Sequence, residues 1–197
     1  INGLVTPEAI SAGMFVECPL AHPTFFLRAS VMEEVGGYQE RPWPEDYDLV
    51  LRLWATGYAL GKVPEVLLRW RERPERLSRT HVRYSAEAFL ACKVHYLRAT
   101  LLRTGREVVI WGAGPVGKSL ARKLLAAGTR VAAFVELDPR KIGQEIHGAP
   151  VLDSASGLRR TGPLHLAAVG QEGARQSILV LLRQARMIES KDFLAIA

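Results

Sequence analysis

The stretch EVVIWGAGPVGKSLARKLLAAGTRVAAFVE, residues 107–136, has an apolar run at each end and a glycine-rich turn between them. The runs at 107–111 and 130–135 have the length and the β-branched content of buried strands. Between them lie the turn, residues 112–117, and a helical segment that ends at Ala127 before a glycine. This order of strand, glycine-rich turn, helix and strand predicts a parallel α/β unit.

The glycines of the turn, Gly112, Gly114 and Gly117, form the pattern G-x-G-x-x-G in the setting that a Rossmann-type dinucleotide site requires. Such glycines permit a tight turn and the close approach of a pyrophosphate, and the helix N-terminus supplies N–H donors. An acid roughly 20 residues further on binds the ribose. Glu136 ends the second strand and Asp138 follows it. We therefore expect these residues to bind a dinucleotide cofactor such as NAD.

Two alternatives to this dinucleotide site remain open. The turn also fits a Walker A loop, GAGPVGKS, in which Lys118 would hold phosphates and Ser119 a magnesium ion. We disfavour it because the later apolar strand at 164–169 ends at Gly170, without a magnesium-binding aspartate. The second alternative is a domain that keeps its glycines for packing and binds nothing. Only about ninety residues follow Arg106, so the second half of a full Rossmann fold is reduced.

The sequences FVELDPRKIGQEIHGAPVLDSASGL, from residue 134, and LHLAAVGQEGAR, from residue 164, carry a resemblance to known proteins. They resemble the Rossmann-like domain of bacterial sugar acetyltransferases and of polysaccharide-assembly nucleotide-sugar dehydratases. The resemblance covers residues 106–197 and implies a small parallel α/β domain that holds a nucleotide sugar or a dinucleotide. The further elements expected in it are two short strands, a helix and a last strand, at residues 151–152, 164–169, 176–186 and 193–196.

A second patterned stretch, PWPEDYDLVLRLWATG at residues 42–57, predicts an amphipathic helix with Pro44 in its first position. Helical spacing places Glu45 and Asp48 on the polar face, and it places Asp46 towards the apolar side. A carboxylate there needs a partner or a chemical task, although an acidic first turn that caps the helix is the simpler alternative. Asp46 and Asp48 cannot share a metal ion as a D-x-D motif would, because they point about 200° apart.

Three landmarks around this helix occur in order: CPLAHPTFFLRASVMEEVGGY, PEDYDLVLRLWATG and GKVPEVLLRWRERPERLSRTH. From residue 18 to residue 81 the chain resembles the second half of the catalytic domain of family-2 inverting glycosyltransferases, which have the GT-A fold. The resemblance implies that Asp46 is the general base that deprotonates an acceptor hydroxyl, with Glu45 orienting the acceptor. Short strands are expected in this part of the chain at residues 25–27, 58–60 and 66–70.

A basic loop follows the last of these strands. By the same resemblance it closes over the phosphates of the donor, and the residues expected to bind substrate or phosphate are Arg73, Arg76 and His81. His22 could face the acceptor. A solvated arginine-rich surface and a hydrogen-bonded structural histidine are the simpler alternatives.

The expected domain organisation has three parts: residues 1–83 as the C-terminal part of a GT-A domain, 84–104 as a linker helix and 105–197 as the Rossmann-like domain. The chain begins at Ile1 in what the resemblance makes the middle of a domain, so we expect a fragment. The donor-binding half, with the aspartates that hold Mg²⁺ or Mn²⁺ in the complete enzyme, would precede it, and we expect no metal ligands within this stretch. The fragment alone would be inactive.

Charge and cysteine content narrow the range of binding partners and cellular compartments to be expected. The net charge is +6, and a basic loop can meet diphosphates, acidic glycans or a membrane surface. We expect no nucleic acid as a partner, because no stacking series of aromatic residues and no nucleic-acid motif occurs. Cys18 and Cys92 show neither metal spacing nor a disulfide framework, which fits the cytosol. A cytoplasmic protein, with peripheral association at the inner face of the membrane as one option, is expected.

The leading functional hypothesis is therefore part of a glycosyltransferase that transfers a sugar from a nucleotide sugar to a glycan or lipid-linked acceptor, with inversion. The alternative is a non-catalytic module that binds a nucleotide or a nucleotide sugar. An NAD-linked oxidoreductase ranks last, because no set of residues for hydride transfer is recognisable in the sequence.

Overall fold

The structure, a computed structural model, describes residues 3–69, 71 and 75–197. The chain divides into two compact units. The first comprises Ile1–Met14 and Cys18–Tyr96, and the second comprises Phe15–Glu17 and Leu97–Ala197. None of the helices in the described part of the chain combines the length and the apolar character that crossing a membrane requires.

The regular elements described in the first unit are helical. They are α1 (Pro7–Gly13), α2 (Ala29–Glu34), α3 (Glu45–Ala55), α4 (Leu77–Thr80) and α5 (Ala86–Ala99), with short 3-10 turns at His22–Thr24 and Val82–Tyr84. The last residues of α5, from Leu97 onwards, belong to the second unit. A small apolar core forms where α2 meets α3, around Val35, Leu49 and Leu53.

The strands expected at residues 25–27, 58–60 and 66–70 are not formed in the described residues, and Trp70 lies outside them. Phe25 and Leu60 are side chains of extended segments that pack against the core between α2 and α3. Their apolar residues thus have a packing partner, but their backbones have no neighbouring strand. The GT-A domain expected here is an α/β architecture, and that expectation is wrong: the first unit contains no strand among its described residues.

The burial pattern of α3 differs from the expected one at Asp48. Asp48 was expected on the polar face, yet its side chain is completely buried. Its carboxylate accepts hydrogen bonds from Trp43 Nε1 at 2.8 Å, from Tyr96 Oη at 2.9 Å and from Arg52 Nη2 at 2.8 Å. Because three donors surround it, the charge is compensated, as a buried carboxylate requires. Pro44 is the residue before the helix and not its first residue.

The second unit is built on a six-stranded sheet, which confirms the expected mixed α/β fold. Its strands are β1 (Val108–Trp111), β2 (Val131–Val135), β3 (Glu145–Ile146), β4 (Ala149–Leu152), β5 (Leu164–Ala167) and β6 (Phe193–Ala195). The order across the sheet is β3-β4-β2-β1-β5-β6, and every pair except β3 with β4 is parallel. The chain therefore leaves β1 first towards β2 and later returns to the other side of β1.

Three helices complete the second unit: α6 (Pro115–Ala126), α7 (Ser154–Leu158) and α8 (Glu172–Gln184). The strands β1, β2, β5 and β6 are buried at every residue, as strands with covered faces are in parallel sheets. The short β3–β4 hairpin was not expected. It turns at His147 and Gly148, both with positive φ (51° and 78°), which is the geometry of a tight two-residue hairpin turn.

The buried Asp48 gives a test of the first unit. Asp48→Asn replaces one of two acceptor oxygens with an NH2 group that must face a donor, either Arg52 or the pair Trp43 and Tyr96. We expect the free energy of unfolding to fall by roughly 3–5 kcal/mol, the range for breaking a buried ion pair. Urea denaturation followed by circular dichroism measures it. An unchanged midpoint would contradict the role given to Asp48.

Candidate functional site

The residues expected to form a catalytic site in the first unit do lie near one another. Asp46 Oδ2 is 4.0 Å from His22 Nδ1, and His22 Nε2 is hydrogen-bonded to Tyr38 Oη at 2.8 Å. Glu45 accepts from Tyr84 Oη, at 2.8 Å and 3.0 Å for its two oxygens. Burial raises the pKa of Asp46, partly offset by the N–H of Tyr47 and by His22. A raised pKa is also what a general base would show, but here burial is the first cause, so the shift does not establish catalysis.

Of the residues expected to bind phosphate, Arg76 and His81 lie in the described part of the chain. Arg73 lies outside the described residues. Arg76 precedes α4, and its carbonyl oxygen accepts from the N–H of Arg79. His81 Nδ1 accepts from the N–H of Arg83 at 3.2 Å and so caps the following 3-10 turn. That is the structural use of a histidine, and it orders the start of the segment leading to α5.

Asp46 provides a second test, because its raised pKa determines whether the free energy of unfolding rises or falls with pH. The folded state holds this proton more tightly than the unfolded state, so stability falls as pH rises from the ordinary pKa of 3.8 through the raised value. Asp46→Asn removes that loss and keeps an acceptor for the N–H of Tyr47. We expect the variant to be more stable than the wild type at neutral pH, because a neutral amide can be buried without the cost of burying a charge.

Urea denaturation at neutral pH and near pH 3 checks this sign. The advantage of the variant should vanish in acid, where Asp46 is protonated in both states. Asp48→Asn is the matched control, since the same substitution two residues along the helix is expected to destabilise. An advantage of equal size at both pH values would show that the ionisation of Asp46 is not its source.

In the second unit the turn after β1 has the expected glycines, and two of them serve the fold. Gly112 has φ of +107°, and a Cβ there would lie 2.6 Å from Val169 Cγ1 and 3.1 Å from the carbonyl oxygen of Ala168. A Cβ on Gly117 would lie 1.9 Å from the carbonyl oxygen of Gly112. The first glycine is therefore required by backbone conformation and packing, and Gly117 by packing alone.

Gly114 has neither requirement. Its φ is −86°, which any residue adopts, and a Cβ there would meet no atom within 4 Å. It is also the N-cap residue of α6, and it has no side chain that could accept hydrogen bonds from the first-turn N–H groups. The next residue, Pro115, occupies the first helical position, where its missing N–H costs nothing. The turn thus presents open space in front of a helix N-terminus.

Glu136, at the end of β2, reaches this turn. Its Oε2 accepts from the N–H of Ala113 at 3.1 Å and from Lys141 Nζ at 3.0 Å, and its Oε1 accepts from the N–H of Leu137 at 3.0 Å. Partial burial acts to raise the pKa of Glu136, but the hydrogen bonds from Lys141, Leu137 and Ala113 together bring it below its ordinary value. The carboxylate is therefore ionised at neutral pH and bonded to the glycine-rich turn.

Asp138 is engaged locally. Its two oxygens accept from Arg140 Nε at 3.0 Å and Nη2 at 2.9 Å, and the N–H of Arg140 adds a bond of 3.1 Å. These bonds lower the pKa of Asp138 to about 2. Asp138 shapes the loop after β2, whereas Lys141, which the sequence analysis did not single out, contacts the site. In the sequence, Lys141 was visible only as part of the run quoted from residue 134. A loop has no periodicity from which one could infer where the side chain of a lysine points.

The buried His165 has a structural role. It lies in β5, where its Nδ1 accepts from Trp111 Nε1 at 2.9 Å and its Nε2 lies 2.7 Å from the carbonyl oxygen of Arg160. Nδ1 as acceptor and Nε2 as donor define one neutral tautomer. Burial lowers the pKa of His165, in keeping with this neutral form. Both ring nitrogens are occupied, so this histidine is not available for proton transfer.

Comparison with known proteins identified no family. No family model matches the chain, and neither does any curated protein. Among solved structures, RSP in complex with beta-NADH is 16% identical with a TM-score of 0.39, over 54% of this chain and 62% of that one. RSP, a Rex-family repressor, is 18% identical with a TM-score of 0.38, over 53% and 59%. This chain thus spans about three fifths of the length of these two.

A third structure, RSP in complex with beta-NAD+ and operator DNA, is 15% identical with a TM-score of 0.39, over 87% of this chain and 86% of that one. The prediction of a family-2 glycosyltransferase is wrong: the three matched structures are of RSP, a Rex-family repressor, and the described residues of the first unit form none of the expected strands. The catalytic roles of Asp46 and Glu45 were implied by that resemblance alone and are not tested by these structures, and the expected divalent metal has no support.

The expected partners need the same correction. The partners expected from the sequence were a nucleotide-sugar donor and a glycan or lipid-linked acceptor, and no nucleic acid was expected. One of the matched structures holds operator DNA together with beta-NAD+, and this finding contradicts the predicted exclusion of nucleic acid and the predicted glycan acceptor.

Proposed function

We propose that the second unit is a non-catalytic nucleotide-binding module that holds the diphosphate of a dinucleotide of the NAD class at the turn between β1 and α6. The observation that carries the proposal is Gly114. Packing requires Gly112 and Gly117 but does not require Gly114, which stands in the open turn directly in front of the N-terminus of α6. A ligand that approaches the backbone at this point accounts for it.

The place of the turn in the sheet supports the same assignment. In doubly wound sheets, ligands bind outside the carboxyl ends of the strands where the strand order reverses. Here that point lies between β1 and β5, because β1 is followed along the chain by β2 on one side and later by β5 on the other. Gly112 follows β1 at this point, and a Cβ on it would meet Ala168 and Val169, which follow β5.

The geometry favours a diphosphate over the triphosphate of a Walker A site. A P-loop wraps its phosphates with a non-helical stretch that runs up to the conserved lysine. In this structure α6 already begins at Pro115, so Lys118 lies inside the helix and only a short turn precedes it. Gly117 is packed on the carbonyl of Gly112, which leaves no loop to enclose a third phosphate.

The acid at the end of β2 completes the site. Glu136 is ionised, and each of its carboxylate oxygens can accept more than one hydrogen bond. In the part of the chain that the structure describes, Oε1 receives one hydrogen bond, from the N–H of Leu137. A ribose diol is a donor of the kind that such a carboxylate binds. We propose Gly112, Gly114 and Gly117 for the diphosphate and Glu136 for the ribose, with Asp138 shaping the adjacent loop.

Calorimetric titration with NADH, with a panel of uridine nucleotide sugars and with ATP and magnesium tests the proposal. Gly114→Asp places a negative charge in the open space without a clash, so the fold should persist while saturable NADH binding is lost. The matched control is Gly162→Asp. Gly162 is equally open, but it precedes β5 and so lies at the amino ends of the parallel strands, away from the glycine-rich turn. The control should bind NADH as the wild type does.

Several outcomes would overturn the proposal. Absence of binding by every ligand would leave a domain whose glycines serve packing. Binding of a uridine nucleotide sugar in place of NADH would assign the site to the other nucleotide class. Undiminished NADH binding by Gly114→Asp would move the site away from this turn.

The packed Gly117 and the open Gly114 should differ in how much a substitution by alanine lowers the free energy of unfolding. Gly117→Ala drives a methyl group into the carbonyl oxygen of Gly112, so either the turn or the helix must shift. We expect a loss of at least about 1–3 kcal/mol, the range for overpacking. Gly114→Ala meets no atom and should cost less, on the order of 0.5 kcal/mol, because alanine is a poorer N-cap residue than glycine. Thermal unfolding of both variants measures the difference, and equal losses would contradict the assignment of separate roles.

A further inference from the structure

The charge of Glu136 is neutralised within the chain. In a site that selects NAD, the acid at the end of the second strand binds the ribose hydroxyls and repels a 2′-phosphate. Here Lys141 Nζ lies 3.0 Å from Glu136 Oε2. The other charges of this loop, Asp138 and Arg140, form an ion pair of their own at 2.9 Å. The ribose end of the proposed site therefore has two negative and two positive groups and no net charge.

The fold holds Lys141 in this position. Its N–H donates to the carbonyl oxygen of Asp138 at 3.0 Å, and its own carbonyl oxygen accepts from the N–H of Gln144 at 3.2 Å. These bonds fold the loop after β2 back towards the end of the strand. The side chain is 39% exposed, so its ammonium group is paired with Glu136 and still faces solvent. An ammonium group carries three donors, and the bond to Glu136 uses one of them.

We propose that Lys141 is a specificity-determining residue that makes the site tolerant of a 2′-phosphate. The phosphorylated and the unphosphorylated dinucleotide then bind with similar affinity. The phosphate meets the ammonium group as well as the carboxylate, so the repulsion that an unpaired acid would exert is offset. This inference rests on the proposed dinucleotide site and adds the class of ligand that the site accepts.

The experiment compares NADH and NADPH by fluorescence titration of the wild type, Lys141→Gln, Glu136→Gln and the control Lys191→Gln. Lys191 is an exposed lysine just before β6. It lies at the amino ends of the parallel strands, whereas the glycine-rich turn lies at their carboxyl ends. For the wild type we expect dissociation constants within about tenfold of each other. Lys141→Gln should weaken NADPH binding about tenfold or more relative to NADH, because the phosphate then meets an unpaired carboxylate.

Glu136→Gln should shift the ratio in the opposite direction, in favour of NADPH, and the control should leave it unchanged. Circular dichroism confirms that each variant is folded. Failure of the wild type to bind either dinucleotide would sink the proposed function itself. Binding of NADH with a rejection of NADPH beyond about 100-fold, or a ratio that Lys141→Gln leaves unchanged, would overturn the role of Lys141 alone.

Discussion

The helix α6 can begin directly behind β1 only because the backbone of Gly117 lies against the carbonyl oxygen of Gly112. A methyl group at residue 117 would come within 1.9 Å of that oxygen, so glycine is the residue that allows the contact. The turn is also tied to the sheet, since the N–H of Gly112 donates to the carbonyl oxygen of Val135 at 2.9 Å. These contacts fix where the first turn of α6 points, and they leave Gly114 in front of it. The proposed site depends on this close approach.

Two carboxylates show how their surroundings decide what an acid does. Asp48 is fully buried and receives hydrogen bonds from Trp43, Arg52 and Tyr96, so its capacity is spent within the first unit. Glu136 lies at a strand end, is partly exposed and is bonded to backbone N–H groups and to a partly exposed lysine. The first arrangement stabilises a core at the cost of desolvation. The second keeps a charged acceptor at a surface that a ligand can reach.

Local patterns predicted α3 and α5 of the first unit and most elements of the second unit, but they failed for the strands expected in the first unit. The strand, turn and helix around Gly112 follow from neighbours in the sequence, and the structure forms them within one or two residues of the expected bounds. Phe25 and Leu60 have the apolar character of strand residues, but a strand also needs a partner backbone, which periodicity cannot supply. Asp48 appeared polar on a helical wheel because one of its donors, Tyr96, is 48 residues away.

The same reasoning explains why the sequence identified the glycines of the proposed site but not its lysine. The pattern G-x-G-x-x-G is contiguous and implies a backbone geometry, so it can be recognised without coordinates. It cannot show which glycine serves packing and which serves a ligand, because that depends on what each Cβ would meet. Lys141 reaches Glu136 only through the turn that starts at Asp138, and no spacing rule links a strand end to a lysine in the loop beyond it. The ligand class proposed for this site therefore depends on the residue that sequence patterns describe least.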